Sequence, residues 1–113
     1  MFSTDECLRI ADELGKAETA RAAGNEGKAR VCARRAAGEA IRAYLGPQNL
    51  PVGMSSAYDL LGYIQLLEEV PLRIKDAALL LRQRVDADHQ LPVEADLIIE
   101  ARILAAGLEK FPD

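Results

Sequence analysis

Apolar positions over the first 45 residues recur every three or four places. Cys7, Ile10, Ala11, Leu14, Ala17 and then Ala20 or Arg21 mark one face of a helix running from about Thr4 to Ala23. Ser3 or Thr4 can cap its start, and Asp5 and Glu6 suit the positive end of its dipole. Gly24-Asn25 breaks the pattern. A second helix follows from about Glu26 to Leu45 and stops at Gly46-Pro47. Its apolar face reads Ala29, Cys32, Ala33, Ala36, Ala37, Ala40, Ile41, Tyr44. Alanines dominate that stripe, so two helix backbones can approach closely. The prediction is a long antiparallel hairpin with a tight core.

Beyond it, residues 46–54 hold two prolines and two glycines and read as a loop. Ser56 and Asp59 have capping-box spacing, with Asp in place of Glu. They open a third helix, about Ala57 to Glu69, with Leu60, Leu61, Ile64 and Leu67 inward. Pro71 ends that helix or starts the next. The fourth helix spans about Leu72 to Val85, its Leu79-Leu80-Leu81 run able to face two neighbours. A polar loop, Asp86 to Leu91, precedes Pro92 and a fifth helix, about Val93 to Lys110, with Leu97, Ile98, Ala101, Leu104, Ala105 and Leu108 inward. The pattern predicts an all-α antiparallel bundle of about five helices, residues 1–113 forming a single domain.

Composition supports this. Ala and Leu dominate, Trp is absent and only five residues are aromatic, so the residues that strands favour are scarce. At 113 residues the chain can bury a core without disulfides or metals. Its net charge of −4 argues against a sequence-independent nucleic-acid binder, and DNA is not expected as a partner. No apolar run approaches membrane-spanning length and no signal-peptide pattern opens the chain, so the expected location is the cytoplasm, with no membrane partner. Cys7 and Cys32 lie about 15 Å apart along the predicted hairpin, beyond disulfide reach. Both read as small buried packing residues.

Little here looks catalytic. The chain carries no glycine-rich phosphate loop, no paired-cysteine zinc spacing and no nucleophile elbow, and neither metal nor cofactor is expected. Its only histidine, His89, follows Arg84 by five positions and Arg82 by seven. Such a pair can support metal-independent ribonuclease chemistry: His moves the 2′-hydroxyl proton while Arg holds the phosphate. Ten arginines among 113 residues also produce this spacing by chance. Asp86 and Asp88 would raise the histidine pKa yet repel a phosphate backbone. A solvated polar loop is the competing reading, and a divalent site of Asp86, Asp88 and Glu94 or Asp96 a minor third. A second candidate is the basic face of the second helix. There Arg30 and Arg34 stack one turn apart, and Arg35 and Arg42 two turns apart, near Lys28. These residues suit phosphate or nucleotide contact; the competing reading pairs them with Asp12, Glu13 and Glu18 of the first helix or leaves them simply solvated.

Taken together, these features resemble the HEPN family, the higher-eukaryote and prokaryote nucleotide-binding helical domains. The Ala-rich second helix, Ala29 to Leu45, is similar to that family's Ala-x-x-Ala-hydrophobic-Lys/Arg-Ala-hydrophobic-Leu run. The order of two long helices, a loop and shorter helices is similar too. Arg82 or Arg84 followed by His89 resembles the family's Arg-(four to six residues)-His motif. Arg82 is followed by the polar Gln83, as the motif usually has it, and Arg84 by Val85. The resemblance implies a helical bundle that homodimerises with the motifs meeting at the interface. Some members are metal-independent ribonucleases, often toxins paired with a nucleotidyltransferase-like partner in toxin–antitoxin systems. Others are non-catalytic modules for a nucleotide or a protein. Under the first reading Arg82, Arg84 and His89 are the catalytic set and RNA the substrate. Under the second, Arg30 and Arg34 contact a nucleotide. The expectation favours the non-catalytic module.

Overall fold

A computed structural model describes residues 2–84 and 95–110. Among them the chain is all-helical, with five α-helices: α1 (Thr4–Ala22), α2 (Glu26–Leu45), α3 (Ala57–Ile64), α4 (Leu72–Leu81) and α5 (Leu97–Lys110). A one-turn 3-10 helix, Pro47–Asn49, follows α2.

Local chemistry fixes the ends of the hairpin. Ser3 and Glu6 form a reciprocal capping box, Ser3 Oγ accepting from Glu6 N at 3.1 Å and Glu6 Oε1 from Ser3 N at 2.7 Å. Gly24 takes φ +79°, the left-handed conformation that stops α1, and Asn25 Oδ1 then caps α2 by accepting from Lys28 N. The two long helices pack antiparallel: Arg21 pairs with Glu26 beside the turn and Arg9 with Glu39 at the far end. The predicted alanine face of α2 is the centre of the core, with Ala29, Ala33, Ala36, Ala37 and Ala40 all fully buried. Gly38 is buried there too, because a Cβ at that position would stand 3.0 Å from Ala57 Cβ. α5 packs on the other side of α2 and runs antiparallel to α1, as Arg21 on Asp96 and Cys7 on Glu109 show. Its six predicted inward residues are all buried. No helix among the described residues is long and apolar enough to cross a membrane.

Four expectations need correction. α3 ends at Ile64 rather than near Glu69, because Leu66 N and Leu67 N turn back to Tyr63 O and Ile64 O, leaving Leu66 exposed and Leu67 only half-buried. α4 ends at Leu81, and residues 82–84 are not helical; Val85 lies outside the described residues. Ala95 and Asp96 precede α5, whose start Asp96 caps through Oδ1, accepting from Ile98 N and Ile99 N; Pro92 and Val93 lie outside the described residues. Cys7 is exposed rather than buried, with its thiol against Glu109, whereas Cys32 is buried as expected and both are free.

Candidate functional site

The basic face of α2 does not pair with α1 as the competing reading would have it. Asp12 and Glu13 both hold Lys16, and Glu18 holds Arg102. The arginines of α2 go elsewhere. Arg34 crosses to the end of α4, donating from Nε to Leu81 O at 2.7 Å and from Nη2 to Gln83 O at 2.5 Å. The Leu81 carbonyl belongs to the negative end of α4, where a cation is favourable and helical partners run out, and that of Gln83 lies two residues beyond it. Arg42 turns the other way and donates to Ser55 O while pairing with Glu39 of its own helix.

By taking Gln83 O, Arg34 draws the chain after α4 against α2. Arg84, exposed, thereby reaches the groove that Arg30 and Arg34 line. This groove has a volume of about 360 Å³ and is lined by Gly27, Arg30, Val31, Arg34 and Arg84. The fold therefore brings together three of the arginines singled out in two separate stretches of sequence. Among the described residues the lining contains no acid, and no carboxylate lies within ion-pair distance of Arg30, Arg34 or Arg84. Burial, followed by the charges of Arg30 and Arg84, lowers the Arg34 pKa from its ordinary value. Like charges one helical turn apart repel by roughly 0.2–0.5 kcal/mol. An anion in the groove relieves that repulsion, and the guanidinium forks match phosphate oxygens.

Arg82 is placed differently. Its Nε donates to Tyr58 O at 3.1 Å, and its guanidinium lies over the Tyr58 ring, 4.0 Å from the centroid. Arg84 lies over the same ring at 4.2 Å. A Cβ at position 62 would come within 2.8 Å of Arg82 Cζ, so Gly62 makes room for that seat. Arg82 thus ties the end of α4 to α3, and it is not among the groove residues. His89, with Asp86, Asp88 and Glu94, lies outside the described residues. Asp96, the remaining member of the divalent-site idea, caps α5 and pairs with Arg21 at 3.0 Å. No cluster of three or more potential metal ligands occurs among the described residues.

A second groove, of about 550 Å³, adjoins the first and shares Val31 and Arg34 with it. Arg35, Arg42, Glu13 and Glu39 also line it. Glu39 holds both Arg9 and Arg42, and Glu13 Oε2 is buried without a hydrogen-bond partner. This mixed wall suits an anion less than the groove of Arg30, Arg34 and Arg84 does. Tyr58 was not singled out in the sequence; an aromatic residue two positions past a helix cap carries no signal that two later arginines will share it.

Neither a family model nor a curated protein nor a solved structure matches the chain.

Proposed function

We propose that this chain is a HEPN-like, non-catalytic binding module. It holds a phosphate-bearing ligand of the nucleotide class in the groove between Arg30, Arg34 and Arg84, and acts as a homodimer. One observation carries the ligand reading: Arg30, Arg34 and Arg84 line one groove, with no acid among its described lining residues. Arg34 is already fixed by two backbone carbonyls, so little side-chain freedom remains to be lost when an anion arrives. Titration with ATP, followed calorimetrically, tests it. Saturable binding is expected, weakened about tenfold by Arg30→Ala or by Arg84→Ala, since one charge-assisted contact is worth about 1.5 kcal/mol. No saturable signal at millimolar ATP would sink it.

The ribonuclease reading keeps one supporting observation. Arg84 is exposed at the groove and shares the Tyr58 ring with Arg82, but only Arg82 also donates to Tyr58 O, so Arg84 is the freer of the two to hold an RNA phosphate. On that reading the partner is a nucleotidyltransferase-like protein. RNA cleavage that survives both His89→Ala and Arg84→Ala, or no cleavage by the native protein, removes it.

A further inference from the structure

The groove of about 550 Å³ continues the arginine groove along α2, and Val31 and Arg34 belong to both. Val31 stands 42% exposed at the join, an apolar step between two polar hollows. Beyond it the wall becomes mixed: Arg35, Ser55 and Ser56 can donate, whereas Glu13 and Glu39 accept. The Arg9–Glu39 pair fixes the hairpin register, which sets Glu13 of α1 level with Arg35, one turn past Val31. The two carboxylates differ in how they are used. Glu39 holds Arg9 and Arg42. Glu13 gives Oε1 to Lys16 at 3.2 Å, while its Oε2 is buried with no hydrogen-bond partner among the described residues. Arg35 does not come within ion-pair distance of it. A desolvated acceptor without a donor is costly, and no other described side chain is left in that state. The last torsion of a glutamate is broad, so Oε2 can turn toward the groove at little expense.

Given the phosphate reading of the arginine groove, on which this rests, we infer that the adjoining groove holds the base of the same nucleotide and that Glu13 selects a base with an exocyclic amino group. With phosphate against Arg30, Arg34 and Arg84, the rest of the ligand leaves over Val31, the apolar part of the shared wall. The amino N–H then donates to Glu13 Oε2 and supplies the partner that oxygen lacks. A carbonyl at the same place on the base would set two acceptors against each other, so the contact discriminates by repulsion as well as attraction. A charged ammonium group would also suit Glu13, but Arg34, Arg35 and Arg42 line the same groove and repel it. The exocyclic amine of a base donates without carrying a charge, which satisfies both conditions. The planar guanidinium of Arg35, level with Glu13, offers the base a surface to stack on.

Calorimetric titration with ATP and with the triphosphate of purine riboside, which lacks only the amino group of adenine, tests the selection. The native protein should bind ATP about tenfold more tightly, the worth of one hydrogen bond to a charged acceptor. Glu13→Ala should bring the two ligands to the same affinity. Nuclear Overhauser contacts should join the base protons of bound ATP to the Val31 methyls. Saturable and equal binding of both ligands by the native protein overturns the inference and leaves the phosphate reading standing. A preference for ATP that survives Glu13→Ala, or bound ATP without contacts to Val31, overturns it as well, because the base is then read elsewhere. No saturable binding of either ligand at millimolar concentration overturns both readings together.

Discussion

Arg34 of α2 donates to the carbonyl oxygen of Leu81 at 2.7 Å, joining the middle of the hairpin to the last turn of α4, 47 residues away. That bond satisfies an orphan carbonyl and at the same time sets Arg34 beside Arg30 and Arg84. One side chain therefore serves both the packing of the bundle and the shape of the basic groove.

Replacing Arg34 with Ala should accordingly cost stability as well as ligand. Losing a charged donor to two half-buried carbonyls is worth about 1.5–3 kcal/mol. Urea denaturation should show a lower midpoint with an unchanged slope. Arg30→Ala should leave the midpoint nearly where it was, because Arg30 has no ion pair within 4 Å among the described residues and acts on Glu26 only at longer range.

Two helical glycines should respond to alanine in opposite directions. At Gly15 the space is open, so Ala should stabilise by about 1 kcal/mol through helix propensity. At Gly107 a Cβ would press to 2.8 Å from Ile74 Cδ1, between α5 and α4. Overpacking of that kind costs about 1–3 kcal/mol and outweighs the same propensity gain. Thermal melts of the two variants should move apart.

How far the sequence revealed this molecule differs from element to element. α2 was fully legible, since Asn25 caps it, Gly46 ends it and its alanine stripe has an unbroken helical period. The end of α3 was not. Leu66 and Leu67 continue an apolar run, but the chain turns after Ile64, and only tertiary packing separates the two outcomes. Cys7 lies on the predicted stripe, yet it sits where the α1–α5 contact opens into a groove, a matter of how the helices diverge rather than of period. The candidate site was half legible. Arg30 and Arg34 announced themselves by spacing, and Arg84 by its place before His89. Their convergence depends on Arg34 reaching Gln83 O, a contact no local pattern encodes.

The two cysteines should differ in chemistry. Cys7 should react with a thiol reagent in the native protein, and Cys32 only after unfolding. Desolvation in the groove, with Glu109 and Glu6 nearby, raises the Cys7 pKa above its ordinary value. Its reaction should therefore be slow at neutral pH and quicken as the solution becomes alkaline, because the thiolate is the nucleophile. Glu109→Gln should shift that rise to lower pH.

Acid should loosen the turn of the hairpin. Arg21 holds the Glu26 carboxyl below its ordinary pKa through a 2.8 Å ion pair. A carboxylate depressed in the folded state stabilises above its unfolded pKa, and that contribution is lost as pH falls through the folded value. Stability followed into the acid range should thus fall more gently for Glu26→Gln than for the native protein. Equal slopes would show that the pair contributes nothing.

Whether Arg30, Arg34 and Arg84 act as one anion site is decided by NMR titration of the labelled protein with pyrophosphate. Saturable amide shifts are expected, concentrated at residues 27–35 of α2 and at Gln83 and Arg84 and absent in an Arg30→Ala, Arg84→Ala double variant. Shifts that never saturate, or that cluster elsewhere and survive the double substitution, would contradict it.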